Sequence, residues 1–440
     1  MGLYQVETKY GALRGVQKIG YSVFRGIPYA EAPVGSLRWK KPLPPKRQEG
    51  LRDARVFPNQ PLQEGNLPPS FYWKEFFADE DYFPAKSEDC LYLNVWTPAE
   101  KSDEKLPVAF WIHGGAFING FSSEMEFDGA AFAARGVILV TVEYRLGAMG
   151  FLAHPWLSAE EGGSGNYGLY DCIAALDWVQ ENIAAFGGDP GRVTAFGQSA
   201  GAMIVQALVS SALTQGKIHR AIIQSGGGYR SFFNRYRRLA DMEQTGAAFV
   251  NSFGAGSLGE LRKIPGEDFI KIQMEFLNRS FAGGGLPFAP CIDGVILEND
   301  SDRLLESAAH LDIPYMIGCT GMDIGFDREQ AAGGERPGLY RAGVDFSLLN
   351  EKLGRQPCCV YFFTHCPPGD DAGAFHSAEL WYEFGTLDRS WRPKNDLDYV
   401  LSDRMIAYWT NFMKSGDPNG AGLLDWKPCR EEDPFVMELT

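Results

Sequence analysis

Basic residues are in short supply. The 440-residue chain carries 41 Lys and Arg against 56 Asp and Glu, a formal net charge of −15 with histidine neutral. Nucleic-acid backbones and anionic membrane surfaces call for the opposite balance, so neither is expected as a partner. Paired cysteines are missing as well. The eight cysteines stand at 90, 172, 291, 319, 358, 359, 366 and 429, none in a C-x-x-C pair, which removes the zinc-ribbon and thiol-redox classes. No uninterrupted apolar run reaches about 18 residues, so no membrane insertion is expected. The opening "MGLYQVETKYGALRG" has no apolar h-region, and Val6 stands where a myristoylation site needs Ser or Thr. A cytoplasmic location is therefore expected. Internal repeats and low-complexity linkers are absent, and no metal or organic cofactor is implied.

What the chain does have is an ordinary globular composition, 45% hydrophobic and 22% charged. Its length would suit two or three domains, but large α/β enzymes often remain one. Short apolar runs recur at 106–115, 136–144, 192–199, 220–227, 313–320 and 358–365. They are continuous rather than alternating, as expected for strands covered on both faces. Between them "GLYDCIAALDWVQENIAAFGG" (168–188) predicts an amphipathic helix, with Ile173, Leu176, Trp178 and Ile183 on its apolar side and Gly187–Gly188 ending it. Alternating strand and helix predict a mostly parallel sheet. Two segments read as excursions from it: 61–86, rich in Pro and aromatics, and 327–357, mixed and glycine-containing. Each is either a lid or wall of a binding site or a loop folded onto the core.

Chemistry enters at "AFGQSAGAMIVQALV" (195–209). Gly197-Gln198-Ser199-Ala200-Gly201 fits G-x-S-x-G. The pattern alone is weak, but here it follows a strand and opens a helix. A turn that sharp strains the serine backbone and crowds its neighbours, which flanking glycines relieve. The serine hydroxyl then stands near a helix N-terminus, where partial positive charge favours an oxyanion. "WIHGGAFING" (111–120), a Gly-rich turn after a strand, can aim backbone N–H groups at one point, as acyl transfer requires. Six histidines are candidates for the base: 113, 154, 219, 310, 365 and 376. If the partners follow the order serine, acid, histidine, and the acid lies in "IGCTGMDIGFD" (317–327), His365 and His376 remain. His365 ends a strand, whereas His376 lies in a later loop from which a base can reach the elbow.

At this point the chain resembles the type B carboxylesterases, the family of cholinesterases and bacterial esterases with the α/β-hydrolase fold. The resemblance runs over nearly the whole length, through "FRGIPYAEAPVGSLRW" (24–39), "SEDCLYLNVWTP" (87–98), "WIHGGAF" (111–117), "YRLGAMGFL" (144–152), "GNYGLYD" (165–171), "WVQENIAAFGGDPGRVTAFGQSAGA" (178–202) and "YWTNFMKSGDPNG" (408–420). It implies one α/β-hydrolase domain over 1–440: a mostly parallel central sheet, flanking helices and lid-like insertions. Ser199 would be the nucleophile and His376 the general base. Gly115, Ala116 and Ala200 would supply the oxyanion-hole amides. Arg145 and Asp171 resemble a buried ion pair that braces the site, and Arg38 with Glu88 a similar pair. Ser225 resembles a serine lying close behind the triad. In relatives a short loop after the strand closes with an acidic pair and then Gly. Counted from Gly318, the second acid falls on Asp323, with Asp327 as the alternative.

The departures are informative. Relatives usually carry Glu before the nucleophile, and Gln198 removes that charge, which disfavours cationic esters such as those of choline. No cysteine precedes Cys90, so the disulfide common at that position cannot form, in keeping with a reducing compartment. The segment between Asp323 and His376 is shorter than in relatives, which leaves the cap undetermined. The expected protein is a serine carboxylesterase acting on small to medium, uncharged esters, with a small-molecule substrate as its partner. A catalytically dead adhesion protein on the same fold is the rival from another class. Oligomeric state and natural substrate are not legible in the sequence.

Overall fold

The structure, a computed structural model, describes residues 2–280 and 286–440. Among these residues, ten strands form the main sheet. In chain order they are β1 (Val16–Lys18), β2 (Tyr21–Pro28), β3 (Tyr92–Thr97), β4 (Leu106–Ile112), β5 (Ile138–Val142), β6 (Gly188–Gln198), β7 (Arg220–Gln224), β8 (Tyr315–Thr320), β9 (Cys359–Phe363) and β10 (Met437–Leu439). Across the sheet they run β10-β9-β8-β7-β6-β4-β5-β3-β2-β1. From β10 to β5 all neighbours are parallel; β5–β3, β3–β2 and β2–β1 are antiparallel. Each of the six apolar runs is a parallel strand. All five residues of β5 are buried, and burying each Val, Leu or Ile contributes about 1.5–3 kcal/mol.

The helices that matter to the site are α1 (Phe71–Phe76), α2 (Tyr167–Asn182), α3 (Ala200–Val209), α4 (Gly338–Lys352) and α5 (Asp396–Ser415). The expected amphipathic helix is α2, extended by a 3-10 turn over Ile183–Phe186 and stopped by left-handed Gly187. α3 is buried along its whole length, so its position is set by packing against β6 and β7.

The two excursions resolve differently. Segment 61–86 is a wall of the site: α1 brings Phe76 against Phe375, and Tyr72 donates from its hydroxyl to the His376 carbonyl at 3.4 Å. Segment 327–357 is no lid over most of its length. It holds the crossover helix between β8 and β9, α4, whose Leu339, Ala342 and Phe346 are buried. Lid-like insertion therefore describes the first segment and not the second. Among the described residues no helix is long and apolar enough to cross a membrane.

Candidate active site

The elbow is as tight as the spacing of its glycines implies. Ser199 sits between β6 and α3 at φ 56°, ψ −124°, a left-handed backbone that costs a non-glycine residue strain. Its amide is tied to the Gln224 carbonyl at 2.8 Å. A Cβ on Gly201 would lie 2.0 Å from the Ile112 carbonyl oxygen, and one on Gly197 2.7 Å from the same oxygen. Both glycines are there because β4 and α3 leave no room for a side chain.

The loop after β4 turns through left-handed Gly115, Ala116 and Phe117. Ile118 and Asn119 both donate to the Gly115 carbonyl, at 3.0 and 2.9 Å. Gln63, from the wall segment, bonds both the amide and the carbonyl of Gly120. Among the described residues, the amides of Gly115, Ala116 and Ala200 have no protein acceptor, which leaves three backbone donors open to a bound group. Burial pushes His113 down to about 4. It is thus a neutral residue, stacked on Tyr144 and bonded through Nδ1 to the Gly114 carbonyl. It shapes this loop, and the acid it faces, Glu143 at 3.9 Å from its Nε2, is itself pushed up to about 8 by burial.

Acid and histidine meet through the backbone. Beyond the sheet, Met322 pairs with Phe375 in an isolated parallel bridge, with the Met322 amide donating to the Ala374 carbonyl at 2.8 Å. The next residue on each side is Asp323 and His376. The register thus places Asp323 Oδ1 2.6 Å from His376 Nδ1. Asp323 also accepts from the Ile324 amide at 2.8 Å and from the amide and hydroxyl of Thr320 at 3.0 and 3.2 Å. Burial pushes its carboxyl up. The charge and hydrogen bond of His376, aided by the Ser225 hydroxyl and the Thr320 amide, outweigh this and leave it below the ordinary Asp value. Asp327 is elsewhere. It is the exposed N-cap of a short helix, Arg328–Ala332, and forms a capping box with Gln330.

Behind the pair, the Ser225 hydroxyl makes a long 3.5 Å contact to Glu379 Oε1. Burial and the nearby Asp323 charge push Glu379 up to about 8, so a neutral acid backs an ionised one. Arg145 and Asp171 are buried and bidentate, at 2.8 and 2.7 Å. They brace the turn whose Gly147 amide donates to the Phe117 carbonyl of the oxyanion loop. Arg38 and Glu88 likewise pair, at 2.6 Å. Cys90 is buried and free.

Ser199, His376 and the oxyanion loop open onto one cavity of about 210 Å³, walled by Tyr72, Phe76, Phe77 and Phe127. Two residues on this wall escaped sequence reasoning: Glu124 and Glu126. Burial raises both carboxyls, and the charge and hydrogen bond of Glu124 raise Glu126 further, so the pair holds a proton where isolated acids would not. Their signal in the sequence is faint: two acids two apart between Phe121 and Phe127. Gln198 also reaches the site, with its Nε2 3.2 Å from His376 Nε2. Among the described residues, no group of three or more His, Cys, Asp or Glu could hold a metal.

A strained serine on one strand end, facing an acid and a histidine clipped together two strands along the sheet, is the layout of a serine hydrolase on an α/β-hydrolase scaffold. Known proteins narrow this class. The profile of the carboxylesterase family matches residues 3–337 and 338–440. The fumonisin B1 esterase of Sphingopyxis macrogoltabida is 39% identical over 318 residues, covering 71% of this chain and 54% of that protein. The para-nitrobenzyl esterase of Bacillus subtilis (strain 168) is 33% identical over 479 residues, covering 99% of this chain and 94% of its own. The solved structure of a thermophilic PNB esterase superposes with a TM-score of 0.86 at 32% identity, over 99% of this chain and 95% of that one. The chain belongs to the carboxylesterase family and is a serine carboxylic ester hydrolase.

Proposed function

We propose that Ser199 is the nucleophile, His376 the general base and Asp323 the acid that orients it. The observation that carries this is the 2.6 Å contact of His376 with buried Asp323, on the cavity that also exposes Ser199. As Ser199 Oγ bonds to the ester carbonyl carbon, its proton passes to His376 Nε2 and the carbonyl π pair moves to oxygen. The amides of Gly115, Ala116 and Ala200 then hold that oxyanion. Its collapse expels the alcohol, which takes the proton from His376. Water, deprotonated by the same nitrogen, attacks the acyl-enzyme and releases the acid.

The substrate class is small to medium uncharged esters. Aromatic walls and a volume of about 210 Å³ suit a compact apolar group. Gln198 is neutral, and the Glu124–Glu126 pair shares a proton rather than offering two charges. The Bacillus subtilis relative is named for an uncharged ester, which supports the same reading. The whole of 1–440 works as one domain, in the cytoplasm; eight unpaired cysteines support a reducing compartment.

A panel of p-nitrophenyl esters of increasing acyl length, run beside choline esters of the same acids, tests the proposal. Neutral short and medium chains should turn over fastest. An organophosphate should label Ser199 and stop turnover. Labelling without hydrolysis of any ester would favour the binding-protein rival.

A further inference from the structure

The position before the nucleophile touches the base itself. His376 is held from one side by Asp323 Oδ1, 2.6 Å from Nδ1. An ionised carboxylate can only accept, so the proton of the neutral imidazole sits on Nδ1 and the lone pair on Nε2. Facing that lone pair at 3.2 Å is the Nε2 of Gln198. A contact between these two nitrogens is a hydrogen bond in one sense only: the amide donates and the imidazole accepts. Among the described residues, the Ser199 hydroxyl makes no hydrogen bond to His376. The acceptor site that must take the serine proton is occupied by the neighbouring side chain.

Resting on the triad assigned above, we infer that Gln198 is a positioning residue: its amide engages the lone pair of the general base in the empty enzyme and surrenders it to Ser199 when an acyl group fills the cavity. Gln198 is buried, 2% exposed, so the contact is not diluted by solvent. Its Oε1 lies 3.1 Å from where a Cβ on Gly114 would be, so the amide spans from the base to the oxyanion loop. The chemistry of the side chain decides the sense of the contact. A carboxylate here could only accept, and would hold a proton on Nε2. The amide donates to the neutral ring and keeps that nitrogen unprotonated.

The pH profile of kcat/KM on a neutral ester reads this contact. The other ionisable groups around the ring are Asp323 on its Nδ1 side, Glu379 behind Asp323, Glu124 and Glu126 across the cavity, and Tyr72 on the His376 carbonyl. All stay in place when position 198 changes. Gln198→Met, which cannot donate, should move the acid limb to higher pH. Gln198→Glu should move it further, by about one unit or more, as an opposite charge beside a titrating group does. Superposed acid limbs in wild type and Gln198→Met overturn the inference. So does the absence of a 15N–15N coupling across the hydrogen bond in wild-type enzyme labelled at glutamine and histidine, a measurement that needs no variant to fold. Ser199→Ala separates the two claims. If it is inactive while the limbs superpose, only the role of Gln198 falls; if it stays active, the triad falls with it.

Discussion

Replacing Asp323 with asparagine is the most revealing single change, because four donors converge on its two carboxylate oxygens. His376 Nδ1 and the Ile324 amide converge on Oδ1; the Thr320 amide and hydroxyl converge on Oδ2. Asparagine has one oxygen and one NH2, so each of its two orientations sets a donor against a donor. With the oxygen toward His376, the buried Thr320 amide loses its acceptor, at about 1–3 kcal/mol. With the NH2 toward His376, the Ile324 amide loses its acceptor at a similar cost. The ring is then forced into the wrong tautomer, with its lone pair turned away from the serine. The two costs are alike, so a sizeable fraction of molecules carries a misdirected base. In every molecule the imidazolium of the transition state loses its ionic partner. The expected fall in kcat is about 10³–10⁴, up to roughly 5.5 kcal/mol of transition-state stabilisation. Initial rates on p-nitrophenyl butyrate, with circular dichroism to show that the protein is folded, measure it. Asp327→Asn is the control: asparagine caps a helix as well as aspartate does, and activity should stay within a few-fold. The reasoning is refuted if Asp323→Asn keeps more than about a tenth of wild-type kcat, or if Asp327→Asn is the crippled variant.

Ser199→Ala should lower kcat by about 10⁶ with the fold intact, and a chelator should leave the wild-type enzyme unaffected; metal-restorable loss of turnover in EDTA would contradict the mechanism. Stability should fall from mildly acidic to mildly alkaline buffer. Burial pushes Glu143 and Glu379 up to about 8 from 4.5, so between these values the folded chain holds protons that the unfolded chain releases. Their contribution is complete below 4.5 and lost as the pH rises through the folded values. The urea midpoint at several pH values reads this, Glu143→Gln should flatten the slope, and a midpoint that climbs with pH would sink the argument. As Glu124 and Glu126 lose their shared proton at alkaline pH, turnover of a cationic ester should gain on that of a neutral ester of equal size. Glu124→Gln should abolish that gain, and a ratio independent of pH in wild type would show that the pair does not sense the substrate.

The parallel sheet was legible because its strands are buried on both faces, and runs such as Ile138–Val142 carry that fact in composition alone. The elbow was legible for a related reason: close packing leaves no room at Gly197 and Gly201, so the constraint is written as residue identity. α4 was misread because Pro337, Gly338 and Gly343 dilute its helical pattern, although Leu339, Ala342 and Phe346 keep the spacing. The antiparallel strands β1 to β3 and the terminal β10 are too short or too mixed to announce themselves. Contacts made by side-chain rotamers were beyond reach. Nothing in "FGQSAG" says that Gln198 turns toward His376, and nothing in "SSEMEFDG" says that both glutamates face the cavity.

The bridge between Met322 and Phe375 lets the protein tolerate changes in its own length. Acid and base lie 53 positions apart, yet their geometry depends on the parallel register of β8 and β9, extended by the Met322–Phe375 pair, and not on the length of the connections around them. Closing a longer path is inexpensive, since doubling a flexible loop adds only about 0.6 kcal/mol. Segments entering or leaving this stretch can therefore reshape the mouth of the cavity while the pair stays where it is. The shape of the cavity mouth is thereby separated from the chemistry of the acid–base pair, which rests on the strand register and the bridge that continues it.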